Sequence, residues 1–432
     1  MVKMKKKILC IQISTNLING EPDNNDLSTK YYETLYQVKE HDGYYKGKHF
    51  WEIPNWVAIM DYNIPVDFHI CTDIETTVRF LLSNDYDYVC FSVLDVNKNI
   101  IKEIITKYQS RTEKQRLNIC RTYEESKFIL GGYINFENYL KDFDSHNIIA
   151  FNTIEEFIKD YLGLDYKLGY DYRLFKGYKV IPRLALSTGC QNRCDFCTVE
   201  KKITIILMDI IEQQVNAFKD LDFKLVYIND KTFGQCHNFI VLPKLYDEIK
   251  KYNSNFEGFI IQTTTGRLLK FSDAFLKDSH IKYIELGIES MNDSVLKKYH
   301  KANSELLTKR AFLKIYNLNK DYFDMGVFNY NSQGIKLIPN IIIGMPEENM
   351  ETYGRTLHFM MMNESIISHF NIYNLAVYEE AVLSNRLEIN NDNQNENMLL
   401  KSFHKDTEPH KWFFEQIYKL GISQLMKQKL RY

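Results

Sequence analysis

An excess of charge of one sign is the first thing this chain lacks. Its 432 residues carry 54 lysines and arginines against 56 aspartates and glutamates, a formal net charge of −2. Near-neutral charge leaves room for a local basic patch but makes nucleic acid an unexpected partner. The lysine runs Lys5-Lys6-Lys7 and Lys201-Lys202 read as solvated ends. Long hydrophobic runs are missing too. No stretch reaches the roughly 20 apolar residues that a membrane span requires, and the basic opening MVKMKKKILCIQIS has an apolar run too short for a signal peptide before the polar INGEPDNND. The expectation is a cytoplasmic protein with no membrane partner, whose 8 cysteines are mostly reduced thiols. A third absence is local: neither cysteine nor histidine occurs between Thr198 and Cys236.

That gap matters because of what precedes it. Residues 182–200 read PRLALSTGCQNRCDFCTVE, which places Cys190, Cys194 and Cys197 on one turn with no nearby fourth ligand of the kind a zinc knuckle needs. Thiolates are soft ligands that suit iron-sulfur clusters, and three of them leave one corner of a four-iron cube open to a substrate or cofactor. A structural zinc site or simple buried thiols are the alternatives. Cys10, Cys71, Cys90 and Cys120 lie in or beside apolar segments and read as small buried hydrophobes.

Hydrophobic content of 45% is enough for two domains with substantial cores. In the first part of the chain, residues 7–14, 66–71, 88–93, 128–130 and 148–151 read as strands, and 74–82, 100–108 and 154–161 as helices. This alternation predicts an α/β, Rossmann-like parallel sheet that binds ligands beyond its strand ends, where Ser92, Leu94, Gly131 and Gly132 fall. Residues 162–179, polar, aromatic and punctuated by glycine, read as a linker packed against the next domain. From residue 180 strands are expected at 180–186, 225–228, 258–262, 283–287, 334–343 and 370–375, six units of an α/β barrel rather than eight.

The cysteine stretch closely resembles the cluster loop of the radical S-adenosylmethionine (SAM) superfamily, with Phe196 in the aromatic place before the last cysteine. The resemblance implies that Cys190, Cys194 and Cys197 hold a 4Fe-4S cluster whose fourth iron is chelated by SAM. It also implies an open (β/α)6 partial barrel with this loop after the first strand. Tyr227-Ile228-Asn229-Asp230 resembles the motif that meets the SAM amino group, making Asp230 a SAM contact or else a helix cap. In Ile284-Glu285-Leu286-Gly287-Ile288-Glu289-Ser290, which resembles the fourth-strand motif, Glu289 and Ser290 match positions near the SAM ribose and carboxylate. The segment Ile341 through Glu348 matches the fifth-strand signature, where Gly344 lets the backbone approach adenine. Arg183 fits either a substrate contact or a structural ion pair.

A second resemblance concerns the first domain. Ser92-Val93-Leu94 and Gly131-Gly132 are similar to the Ser-x-Leu pair and Gly-Gly turn that line the corrin and nucleotide tail in the cobalamin-binding domain of one radical SAM class. The cobalt-ligating histidine loop of one branch is absent, since residues 14–19 read STNLIN, and His69 falls within a strand. A glycine pair is equally a tight turn, so cobalamin stays an open alternative here.

The expected organisation is a cobalamin-binding-like Rossmann domain at 1–161, a linker at 162–179, the partial barrel at 180–389 and a small helical C-terminal extension at 390–432, whose aromatics at 412–414 would close the barrel's open side. The resemblance implies reductive SAM cleavage, with an electron from a flavodoxin or ferredoxin type of donor, and hydrogen abstraction from a small molecule or peptide. With cobalamin the implied reaction is C-methylation by a transferase; without it, an isomerase, cyclase or epimerase. A non-enzymatic metal-binding interaction protein is the alternative from a different class. Glu379 and Glu380 replace a proline- and glycine-containing turn of the cobalamin-associated relatives, as substrate contacts or as a helix start.

Overall fold

The structure is a computed structural model that describes residues 6–19, 26–40, 52–94, 96–118, 126–132, 134, 136–141, 143, 147–320, 334–375, 382–385 and 407–429. Contacts divide the chain into two units. Unit 1 comprises Met1–Pro22, Lys46–Val180 and Asp220–Asp222; unit 2 comprises Asp23–Tyr45, Ile181–Lys219 and Phe223–Tyr432.

Unit 1 is built on five short strands, β1 (Ile8–Ile13), β2 (Asp67–Cys71), β3 (Tyr88–Val93), β4 (Lys127–Gly132) and β5 (Ile148–Ala150). They lie in the order β2-β1-β3-β4-β5 with every neighbouring pair parallel. Central strands covered on both faces need side chains that are apolar at almost every position, and ILCIQI and YVCFSV supply them with single polar exceptions at Gln12 and Ser92. Leu9, Ile11, Val89, Phe91, Phe128 and Leu130 meet Val78, Leu81, Ile101, Ile104 and Ile105 of the crossing helices in one core cluster. Truncating a ring such as Phe128 to alanine costs about 3–5 kcal/mol in such a setting. Strand order reverses between β1 and β3, the kind of switch point near which such sheets take ligands. The bridge 162–179 belongs to this unit: Phe175 packs edge-on against Phe68 at 5.0 Å, and the Tyr172 hydroxyl donates to Asn55 at 2.9 Å.

Unit 2 carries six parallel strands in the order β13-β12-β11-β10-β9-β6: β6 (Arg183–Leu184), β9 (Leu225–Ile228), β10 (Gly258–Thr264), β11 (Ile281–Glu289), β12 (Lys336–Ile343) and β13 (Asn371–Asn374). Between β6 and β9 an antiparallel hairpin, β7 (Ser187–Thr188) with β8 (Thr204–Ile205), brackets the cysteine loop. The first barrel strand, expected over residues 180–186, shortens to two residues. Its continuation leaves the ladder because the Leu186 and Ser187 amides turn to the Asp230 carboxylate, at 2.8 and 2.9 Å.

Among the helices of unit 2 are α1 (Leu27–Lys39), α2 (Met350–Met362) and α3 (Glu408–Lys429). Asp26 caps α1, and a reciprocal Asn349–Thr352 capping box starts α2. Unit 1 thus departs from the domain expected at 1–161: Asp23–Tyr45 with α1 clusters in unit 2, while the bridge through Val180 and Asp220–Asp222 cluster in unit 1. Tyr31 of α1 stands edge-on to Tyr418 of α3 at 5.5 Å, and Gly421 is required there because a Cβ would lie 2.4 Å from the Tyr31 ring. The Tyr31 hydroxyl both donates to the Phe370 carbonyl and accepts from the Phe370 amide, each at 2.8 Å. Tyr32 donates to the Ile372 carbonyl at 3.3 Å, so phenols satisfy the outward backbone groups of the edge strand β13. Among the described residues no helix is long and apolar enough to cross a membrane.

Candidate active site

The cysteine loop of unit 2 is held in shape by its own chain. Asp230, at the end of β9, takes three hydrogen bonds, from the Leu186 and Ser187 amides and from the Ser187 hydroxyl at 2.7 Å. Burial pushes its carboxyl up from the ordinary value, and those three donors pull it back. Asp230 therefore anchors the entrance of the loop. Gly189 must be glycine: its φ is +77°, and a Cβ would sit 2.0 Å from the Lys202 carbonyl oxygen. The Cys190 amide then bonds to the Glu200 carbonyl at 2.9 Å, and Gln235 brackets the turn by donating to the Gly189 carbonyl at 2.9 Å and accepting from the Gln191 amide at 3.2 Å. The Cys190 sulfur lies 3.2 Å from the Thr232 hydroxyl.

A second set of contacts holds the far end. The Asp195 amide donates to the Tyr299 carbonyl at 3.1 Å, and its buried carboxylate meets His300 Nδ1 at 3.0 and 2.9 Å. Phe196 packs with Val295, Tyr299, Ile342, Met345, Leu375 and Leu383. The neighbouring Lys301 is a residue that motif reading missed. Its ammonium pairs with Glu289 at 2.5 Å, and both side chains are only 9% exposed. Burial opposes its charge, but Glu289, Cys194 and Cys197 together outweigh that and hold its pKa above the ordinary lysine value. Cys194 is the counterpart: burial raises its thiol, and Lys301 acts against that. Gly287 makes room for it, since a Cβ there would stand 2.8 Å from the lysine Nζ.

Glu289 closes β11 with φ +64°, and a register shift separates it from Gly287. The next residue, Ser290, is buried and donates to Glu348 Oε1, while accepting from the Asn292 amide at 2.9 Å. Burial raises the Glu348 pKa against the bonds from Ser290 and Thr352. Gly344 follows β12 with φ +100°, a conformation that favours glycine. Glu289, Lys301, Cys194 and Cys197 thus share one electrostatic neighbourhood, and Ser290, the residue after Glu289, is tied to Glu348. Arg183, on β6, lays its guanidinium 3.8 Å over the Tyr227 ring, whose hydroxyl donates to the buried Glu285 at 2.8 Å. Glu379 and Glu380 lie outside the described residues.

Among the described residues no group of three or more histidine, cysteine, aspartate and glutamate side chains is gathered to hold a single metal ion. A four-iron cube asks for something else: three thiols on separate corners, more widely spaced than the donors of one ion. In donor chemistry the loop suits such a group: three free thiols, two of them beside a buried ammonium that favours thiolates.

Unit 1 contributes a separate cavity of 420 Å³ at the carboxyl ends of β3, β4 and β5. Ser92, Gly131 and Gly132 line it together with Trp56, Phe151 and Thr153. Leu94 lies beyond β3, is 39% exposed and is not among the lining residues. The two glycines differ in kind. At Gly132, with φ +139°, a Cβ would lie 2.0 Å from the Val93 carbonyl oxygen, whereas at Gly131 the nearest atom would be 3.8 Å away. Gly132 serves the backbone; Gly131 leaves space. The volume suits a nucleotide-sized group bound against an apolar wall.

No family profile matches the chain. It is 24% identical over 226 residues to the ribosomal protein uS12 methylthiotransferase RimO of Helicobacter pylori, covering 49% of this chain and 47% of that one. It is 23% identical over 193 residues to the threonylcarbamoyladenosine tRNA methylthiotransferase of Caenorhabditis elegans, covering 42% of each. The chain spans about half the length of the curated relatives it matches. Among solved structures, the cobalamin-dependent S-adenosylmethionine radical enzyme OxsB, with aqua-cobalamin and S-adenosylmethionine bound, superposes with a TM-score of 0.57 at 13% identity, over 93% of this chain and 65% of that one. The radical S-adenosylmethionine methyltransferase TsrM of Kitasatospora setae, with cobalamin and a 4Fe-4S cluster bound, gives 0.54 at 11% identity, over 98% and 91%. At such identities the likeness is one of fold.

Proposed function

We propose that this chain, which has the fold of the cobalamin-binding radical SAM enzymes, is a radical SAM enzyme whose reaction is C-methylation of a small molecule or peptide. The observation that carries the reading is the buried Lys301–Glu289 pair beside a preshaped loop of three cysteines. A buried ion pair is expensive to build and does little for stability, so its position beside three thiols favours a functional use.

Cys190, Cys194 and Cys197 would hold a 4Fe-4S cluster, and Glu289, Ser290, Gly344 and Lys301 would receive SAM. When bound, the cluster and SAM supply a one-electron route to an adenosyl radical, and cobalamin would supply a methyl carrier. Lys301 opposes the negative charge of three thiolates. Asp230 and Asp195 fix both ends of the loop, which keeps the open coordination site in one place. Ser92, Gly131 and Gly132 would take the nucleotide tail of cobalamin. Arg183, steadied by Tyr227, is the candidate substrate contact, and a flavodoxin or ferredoxin type of protein is the candidate electron donor.

Anaerobic reconstitution tests the reading. About four irons per chain and a SAM-dependent change in the cluster spectrum are expected, with reductive SAM cleavage lost in Cys194→Ala. Stable zinc with no SAM response would overturn it in favour of a structural metal site. Cobalamin is tested separately by retention on the protein and by Gly131→Leu, which fills the cavity without backbone strain and is expected to abolish retention. SAM cleavage without cobalamin retention by the unsubstituted protein would instead assign an isomerase, cyclase or epimerase.

A further inference from the structure

Three buried groups connect the C-terminal helix to the loop after β12. The Gly344 amide donates to the Tyr353 hydroxyl at 3.1 Å, and that hydroxyl lies 2.7 Å from Nδ1 of His410 in the first turn of α3. Tyr353 and His410 are 1% and 3% exposed, so water does not substitute for either partner. The Tyr353 ring stacks on Phe413 at 4.3 Å with an interplanar angle of 12°, which fixes the hydroxyl's position from the side. A phenol has one proton and two lone pairs. With one lone pair taken by the Gly344 amide, its proton has the imidazole as its partner.

We infer that His410 and Tyr353 are positioning residues for the SAM adenine, acting through the Gly344 backbone: His410, as the Nε2-protonated tautomer, accepts the Tyr353 proton at Nδ1, and the hydroxyl so oriented holds the Gly344 amide. This rests on the proposed role of Gly344. The physical reason for such a device is the backbone itself. With φ of +100° and no side chain, Gly344 has many alternative conformations to lose, and a peptide plane that must approach a ligand closely needs an external hold. A buried acceptor on the neighbouring helix α2 supplies it, and α3 holds the acceptor. The C-terminal helix is in this sense a remote part of the cofactor site rather than a lid over it.

The test uses the reconstituted full chain and S-adenosylhomocysteine as probe. Tyr353→Phe keeps the ring stack and removes only the hydroxyl. Affinity is expected to fall about fivefold to tenfold, the effect of one lost buried hydrogen bond, with the iron content unchanged. Amide exchange across residues 341–346 is expected to accelerate in parallel. His410→Leu should behave like Tyr353→Phe, and His410→Gln, whose amide oxygen can accept the same proton, should recover most of the affinity. Unchanged affinity and exchange in both Tyr353→Phe and His410→Leu would overturn the inference. If either variant fails to reconstitute, nitrogen chemical shifts of the wild-type imidazoles decide: a proton on His410 Nδ1 overturns the assignment and a bare Nδ1 supports it. Wild-type protein that binds no S-adenosylhomocysteine and cleaves no SAM would instead defeat the radical SAM reading itself, and this inference with it.

Discussion

Removing either partner of the Lys301–Glu289 pair leaves a single charge in a site that excludes water. Lys301→Met is therefore expected to cost about 3–5 kcal/mol in chemical denaturation, and the double variant with Glu289→Leu to recover much of that, because it removes both charges together. Glu348 offers a pH test. Its folded pKa is raised by burial, so its stabilising term is complete below the unfolded carboxyl value and is lost as pH rises through the folded value. Glu348→Gln has no such term. Its stability relative to wild type should therefore improve between pH 5 and pH 8, as read from denaturant midpoints at both. At this scale the sequence was only partly legible. Cysteine spacing and short motifs pointed to Cys190, Cys194, Cys197, Glu289, Ser290 and Gly344, but Lys301 and His410 matter through partners 12 and 57 positions away, and no local pattern marks such pairs.

Among the elements, the strands were the readable part, because strands buried on both faces must be apolar at almost every position. All eleven expected strands have counterparts, from β1 at Ile8–Ile13 to β13 at Asn371–Asn374. The first barrel strand was overread because Ala185-Leu186 continues the apolar run past the end of β6 at Leu184, where the Leu186 amide turns to Asp230. The most testable element is the edge of β13. Tyr31→Phe keeps the ring against Tyr418 but strands the buried amide and carbonyl of Phe370, so a loss of about 1–3 kcal/mol is expected, measurable by thermal or chemical unfolding. A cost near zero would show that Phe370 finds another partner.

Across the whole molecule, the cysteine loop is gripped by side chains from several elements. Asp230, Gln235, Asp195 and His300 all hold it through contacts that need no iron. On the proposed reading, iron chelation should therefore abolish SAM cleavage while leaving far-UV circular dichroism unchanged, unlike a structural zinc site, whose loss unfolds its domain. Fold class was legible at this scale because both sheets announce themselves by alternating strand and helix. The affiliation of α1 was not, since a helix between two strands of unit 1 gives no sign that it packs on residues some 390 positions away.

That placement governs the order in which the protein can be assembled on the ribosome. Tyr31 is made early, but Phe370, whose carbonyl it caps, follows 339 positions later, and Tyr418 and Gly421 later still. Until then Tyr31 lacks its distant partners, and closing so long a loop makes this docking a late, slow event. A chain severed after Val180 would give a barrel without α1, with the Phe370 and Ile372 backbone groups open to pairing with another copy; self-association of that fragment, suppressed by adding residues 23–45 in trans, is the expected result.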